Sequence, residues 1–184
     1  MRTLLAFFCA GSFAAAGSLY DSVQHKLDAI ETRQVRPGSV VSFTPQELNG
    51  WARVAVPKVV PEGMRDEQVE LFNGSATGYA MVDFLKMRQG KGEQTNWLIA
   101  RMIEGERPLK IWVRVESGGG RCTVYLTRVD LSDVTVNQTV LNFLITNFFM
   151  PLYPDAKIDQ PFELDYNIDR IAITPQAVHV TIKR

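Results

Sequence analysis

Cysteine and histidine are scarce in this chain, with two of each in 184 residues. Cys9, Cys122, His25 and His179 give none of the short ligand spacings of a structural zinc site, so carboxylates or a second chain would have to contribute. An excess of one charge is missing too. The 20 Lys and Arg side chains balance 20 Asp and Glu, which excludes the domain-wide basic footprint of a nucleic-acid binder. No apolar run reaches the roughly 20 residues needed to span a bilayer, and no internal repeat follows the opening segment. What is present is an ordinary globular composition, 46% hydrophobic and 22% charged, at a length that suits one domain.

The opening segment has the layout of an export signal. Met1-Arg2 is a short positive start, Thr3 to Ala10 is apolar, and Ala14-Ala15-Ala16-Gly17 is a small-residue exit. Residues 1–16 are therefore expected to be a signal peptide cut after Ala16 or Gly17, placing the protein in the periplasm or outside the cell. An uncleaved membrane anchor is the alternative. Cys9 follows Phe7-Phe8 within a continuing apolar run, which is not the setting of a lipid-modified cysteine. Cleavage removes Cys9 and leaves a single thiol, Cys122, so no internal disulfide holds the mature fold.

The remainder reads as a lead-in over 17–38 and one α+β domain over 39–184. Leu19, Val23, Leu27 and Ile30 recur at roughly helical spacing, which predicts a loose or partly helical lead-in ended by Pro37-Gly38. Ser39–Phe43 reads as a strand. Thr44-Pro45-Gln46-Glu47 is a capping box with Pro at the first helical position. It opens a helix that carries Leu48, Trp51, Ala52 and Ala55 on one face and is expected to stop at Pro57.

Strands Gln68–Phe72 and Ala76–Met87 flank the turn signal Asn73-Gly74, with Asp83 among apolar neighbours. Thr95–Glu104 reads as a short amphipathic helix. Leu109, Ile111, Val113 and Val115 alternate strictly with polar or amphipathic residues, a half-buried strand. Gly118-Gly119-Gly120 turns into a long strand from Arg121 to about Val136. Its apolar parity switches after Leu126 and again before Val134, which requires bulges and so predicts a bent sheet. Asn137 caps a third helix, Gln138 to about Phe149, whose apolar residues form one wide face. A terminal pair follows, Phe162–Thr174 and Ala177–Lys183.

Catalytic chemistry is sparse. Neither histidine has a Ser, Cys or carboxylate at a motif spacing, and both read as exposed and functionless. Cys122 alternates in register with Val124 and Leu126, as a buried small hydrophobe does. Asp130 with Asp133, or Asp155 with Asp159, could suggest acid/base carboxylates, but nothing around them raises a pKa. The triple glycine enters a strand, whereas a phosphate loop opens a helix. No enzyme, metal or cofactor is predicted. Apolar side chains, by contrast, are plentiful, and the broad helix face against a bent sheet leaves two outcomes open: a packed core or a lipid-sized tunnel.

Val40-Val41-Ser42-Phe43-Thr44-Pro45-Gln46-Glu47-Leu48-Asn49 resembles the strand-to-helix start of small exported bacterial proteins of the tubular lipid-binding (TULIP-like) superfamily. The later order is similar as well: a strand meander, a long apolar helix near Asn137–Phe149, and a terminal pair around Ile168-Asp169-Arg170-Ile171-Ala172-Ile173. The resemblance runs from about 39 to 184. It implies a highly curved antiparallel sheet wrapped around one long amphipathic helix, with additional short helices, an apolar groove for acyl chains and no catalytic residues. The short helix around Trp97 is not part of that pattern and would cap the groove or be an insertion.

The expectation is thus an exported, non-catalytic binding protein for a lipid or other apolar small molecule, compatible with peripheral membrane contact. Trp51, Met81, Phe84, Leu141, Leu144, Ile145, Phe148 and Phe149 are the expected lining residues, with Trp97 and Met102 at an entrance. The alternative is an envelope scaffold or protein-interaction domain with a solid core and no ligand.

Overall fold

The computed structural model describes residues 11–60, 63–87, 104–151 and 157–184. Helix α1 (Gly11–Glu31) and strand β1 (Val40–Phe43) lead into helix α2 (Pro45–Val59). A meander follows: β2 (Met64–Phe72), β3 (Ser75–Asp83), a single helical turn α3 (Phe84–Met87), β4 (Glu106–Gly118), β5 (Arg121–Leu131) and β6 (Val134–Thr135). The chain continues into helix α4 (Gln138–Leu144) with a π-helical turn (Ile145–Phe149), then β7 (Phe162–Glu163), β8 (Ile168–Thr174) and β9 (Ala177–Ile182). The architecture is α+β with two antiparallel sheets. One has six strands in the order β2-β3-β4-β5-β6, with β7 also on β5; the other has the order β1-β9-β8.

The local signals explain most of these elements. Thr44 Oγ1 accepts from the Glu47 backbone N–H at 3.2 Å while the Thr44 N–H donates to Glu47 Oε2 at 2.9 Å, closing the capping box that starts α2. Asn137 Oδ1 accepts from the Val140 N–H at 3.0 Å and starts α4. Gly119 and Gly120 both have positive φ, 61° and 77°, the backbone a two-residue turn between Gly118 and Arg121 requires. The parity switch in β5 is a bulge. Trp112 pairs with Arg128 and Val113 with Leu126, leaving Thr127 as the extra residue.

Several boundaries differ from the sequence reading, each for a local reason. The lead-in is a continuous helix through Glu31, and Val23 and Ile30 are buried in the protein interior. Residues 1–10 lie outside the described residues, and no helix among the described residues is long and apolar enough to cross a membrane. α2 runs past Pro57. An exposed proline in the last turn removes one helical N–H, and the Val60 N–H still reaches the Val56 carbonyl at 2.8 Å.

β3 ends at Asp83 because the carboxylate of this residue accepts the Lys86 N–H at 3.1 Å, turning the chain into α3. β5 stops at Leu131 because Ser132 and Asp133 both adopt positive φ, 52° and 61°, and reverse the chain into β6. The expected strand 162–174 is likewise broken by Tyr166 and Asn167 at positive φ. The third helix is not α-helical to its end. Met150 N–H bonds Ile145 O at 2.8 Å, an i to i−5 bond that widens the last turn.

Among the described residues, two apolar clusters organise the interior. The first lies between the six-stranded sheet and α4 and is centred on Val82, Phe84, Val129, Leu131, Leu144 and Phe148. The second joins α1, α2 and the three-stranded sheet through Val23, Ile30, Phe43, Val180 and Ile182. Helix α2 serves both clusters: Leu48 and Trp51 pack in the second, and Val56 and Val60 near its end face a cavity beside the first. Buried Glu47 ties α1 to α2, with its Oε1 2.6 Å from Lys26 Nζ and 2.7 Å from Ser22 Oγ.

Candidate functional site

The six-stranded sheet has two unlike faces. On β4, Leu109, Ile111 and Val113 share one face. On β5, Val129 faces the same way, and the Thr127 bulge brings Leu126 and Val124 to that side as well. Without the extra residue, the two halves of β5 would present their apolar residues to opposite faces.

Between this surface and the α4 segment lies a cavity of about 350 Å³. Its sheet wall is Val82, Leu109, Ile111, Val113, Val124, Leu126 and Val129. The helical wall is Leu144, Ile145, Phe148 and Phe149. Phe84 of α3, Met64 of β2, Val56 and Val60 at the end of α2, and Ile158 complete it. Among the described residues, every one that lines it is Val, Leu, Ile, Met or Phe. Phe148 meets Phe84 edge-on at 4.9 Å and Phe143 at 5.9 Å, which fixes its ring at the wall. The π turn lies where the helix meets the cavity and contributes three of the wall residues. Ile158 is held there by a parallel bridge to Val124, and the neighbouring Asp159 accepts the Leu126 N–H at 2.9 Å.

The volume decides how the cavity compares with a packing defect. A cavity of about 150 Å³ lined by Leu, Ile and Phe stays dry and takes up benzene; this one is more than twice that size. It also falls within the roughly 300–1,000 Å³ of small-molecule sites. No known protein family, curated protein or solved structure matches this chain. The geometry of the cavity therefore carries the functional argument.

Among the residues expected from sequence, Phe84, Leu144, Ile145, Phe148 and Phe149 stand together on the cavity wall. Three others go elsewhere. Trp51 packs in the second cluster, because the first turns of α2 face α1 and the small sheet. Leu141 packs against the first cluster one turn before the wall begins. Met81 has the opposite strand parity from Val82 and lines a separate depression of about 330 Å³ with Asp66, Tyr79, Lys110, Asp130 and Asp133. Trp97 and Met102 lie outside the described residues. Sequence reasoning missed the sheet wall, although the Leu109–Val113 alternation and the parity switch of β5 carry its signal once they are read together.

The opposite face of the sheet is polar and aromatic. Lys110 Nζ lies 4.7 Å from the ring centroids of both Tyr79 and Trp112, the Arg128 guanidinium 4.8 Å from Trp112, and the Arg114 guanidinium 4.1 Å from Tyr125. Arg128 also grips Asp130 at 2.8 and 2.6 Å. That guanidinium, aided by Thr135, holds the Asp130 carboxyl below its usual range against the effect of burial. Asp133 sits in the turn after β5, and Asp159 is a backbone clamp.

His25 is exposed, but His179 is not. His179 Nδ1 lies 2.8 Å from Ser42 Oγ and its Nε2 3.4 Å from Thr174 Oγ1. Ser42 and His179 are cross-strand partners of β1 and β9. A hydroxyl stands where an acyl-transfer triad would place a carboxylate, so the contact reads as a sheet-stabilising pair. Cys122 is buried, and burial pushes its thiol up against a weaker opposing effect of a Ser117 hydrogen bond, which makes it a poor nucleophile.

Proposed function

We propose that this chain is an exported, non-catalytic binding protein that holds an apolar ligand, a lipid or acyl chain, between its α4 segment and its large sheet. The observation that carries the reading is the apolar cavity of about 350 Å³. The described wall, hydrocarbon side chains and one thioether, suits a ligand held by apolar burial rather than by polar chemistry. Burial of apolar surface, about 0.8 kcal/mol per CH₂, supplies the affinity. The Thr127 bulge and the tight turn at Ser132-Asp133 support a sheet that curves around the helix, as the resemblance to tubular lipid-binding proteins implies. The reading takes residues 1–16 as an export signal, so that the ligand is met at a membrane surface in the periplasm or outside the cell.

The test is native mass spectrometry of the purified protein before and after organic extraction. A non-covalent mass excess lost on extraction, and regained with fatty acid, is expected. Ligand-free protein that takes up no fluorescent fatty acid overturns the reading and favours a solid scaffold.

A further inference from the structure

We infer that the cavity takes one linear hydrocarbon chain of about a dozen carbons and is indifferent to the group at its head. This rests on the reading of the cavity as a ligand site and goes on to name the class of ligand. Volume sets the number of chains. Scaled from the benzene-sized cavity of about 150 Å³, 350 Å³ has room for roughly a dozen carbons. That fits a single medium-length chain and leaves no room for the second tail of a phospholipid.

The distribution of charge sets the indifference to the head. Along β4 and β5 the basic residues Lys110, Arg114 and Arg128 alternate with the wall residues and stand on the other face. There they are engaged by Tyr79, Trp112 and Tyr125. Among the described residues, the wall offers no charge and no hydrogen-bond donor to meet a carboxylate or a phosphate. The buried carboxylate of Glu67, whose Oε1 has no hydrogen-bond partner, stands in the bulge of β2 opposite Ala80 and is not a wall residue. An ionised head drawn into such a wall would be desolvated without compensation. It therefore stays outside, and discrimination falls on chain length alone.

Isothermal titration of the extracted full chain with n-alkanols from octanol to hexadecanol tests this, alongside dodecanoate and methyl dodecanoate. Affinity is expected to rise about fourfold per methylene and to level off near twelve to fourteen carbons. Dodecanol, dodecanoate and the methyl ester are expected to agree within about threefold. Dodecanoate binding more than tenfold tighter than dodecanol, or an affinity still rising at hexadecanol, overturns the inference and leaves the ligand site standing. Failure of every chain to bind overturns both. Val113→Phe adds four carbons to the wall, so the levelling point is expected to fall by about four carbons, and Val124→Phe repeats the test from β5. A levelling point that moves in neither variant places the binding elsewhere and also overturns the inference.

Discussion

Replacing Gly50 with alanine sets two effects of opposite sign against each other. Gly50 lies inside α2, where alanine is intrinsically favoured by about 1 kcal/mol. Yet a Cβ at this position would stand 2.6 Å from Leu19 Cβ and 2.9 Å from Leu19 Cδ1, where carbon atoms ordinarily meet at about 3.5–4.0 Å. Rotating Leu19 relieves only the longer contact, because the shorter one is to its Cβ. The helices must part by about an ångström. That shift stretches the Lys26–Glu47 and Ser22–Glu47 hydrogen bonds, at 2.6 and 2.7 Å, beyond useful range. Overpacking of about 1–3 kcal/mol and the weakened contacts outweigh the propensity gain. Gly50→Ala is expected to destabilise by about 2 kcal/mol net, a fall of about 4–8 °C in Tm for a domain of this size. Urea and thermal unfolding followed by circular dichroism measure it. In a Leu19→Ala background the penalty should shrink without vanishing, since Cβ remains. A variant as stable as the parent, or more stable, would refute the docking of α1 on α2.

Three further outcomes follow from the same contacts. Burial pushes the Glu47 carboxyl up, but hydrogen bonds from Lys26, the Thr44 backbone and Ser22, together with the Lys26 charge, prevail and lower it from 4.5 to about 2. Its contribution is fully present above about pH 4.5 and disappears as pH falls toward 2. Glu47→Gln should therefore cost about 2 kcal/mol at pH 7 and flatten the stability profile in that window, and an unchanged slope there would contradict the pairing. Phe148→Ala removes a ring already bordered by open space, so its cost should sit near the low end of core truncations, about 3 kcal/mol by chemical unfolding, with altered lipid retention. A loss of 5 kcal/mol or more with no change in retention points to a solid core. Asp133→Gly suits a backbone at φ 61° and should be neutral or gain a few tenths of a kcal/mol in thermal unfolding, whereas a β-branched residue there should cost about 1 kcal/mol or more.

Where a signal was local, the sequence disclosed the structure. The Thr44–Glu47 capping box, the alternation from Leu109 to Val115, the turn at Gly119-Gly120 and the parity switch around Thr127 each concern residues close in the chain, and each has its counterpart in the fold. Ser132-Asp133 escaped because neither residue announces a positive φ as Asn-Gly does. Leu19, Val23, Leu27 and Ile30 revealed their helical spacing but not their partners, since Phe43, Val180 and Ile182 come from strands distant in sequence. The same non-local pairing sent Trp51 into the second cluster while Val56 and Val60, on the same helix, reached the cavity. The helical half of the site was legible from Leu144 to Phe149 because one face carries it. The sheet half was not, because it exists only when a bulge aligns Leu126 with Val129 across from Ile111 and Val113.

The central claim is that a hydrocarbon chain lies between the π turn and the bulged sheet. The direct measurement is a set of nuclear Overhauser contacts from carbon-13-labelled dodecanol to assigned methyl groups of the protein. Cross-peaks to Ile111, Val113, Leu126 and Ile145 are predicted. Saturating dodecanol that gives none of them, or that contacts Met81 on the opposite face of the sheet instead, would contradict the account.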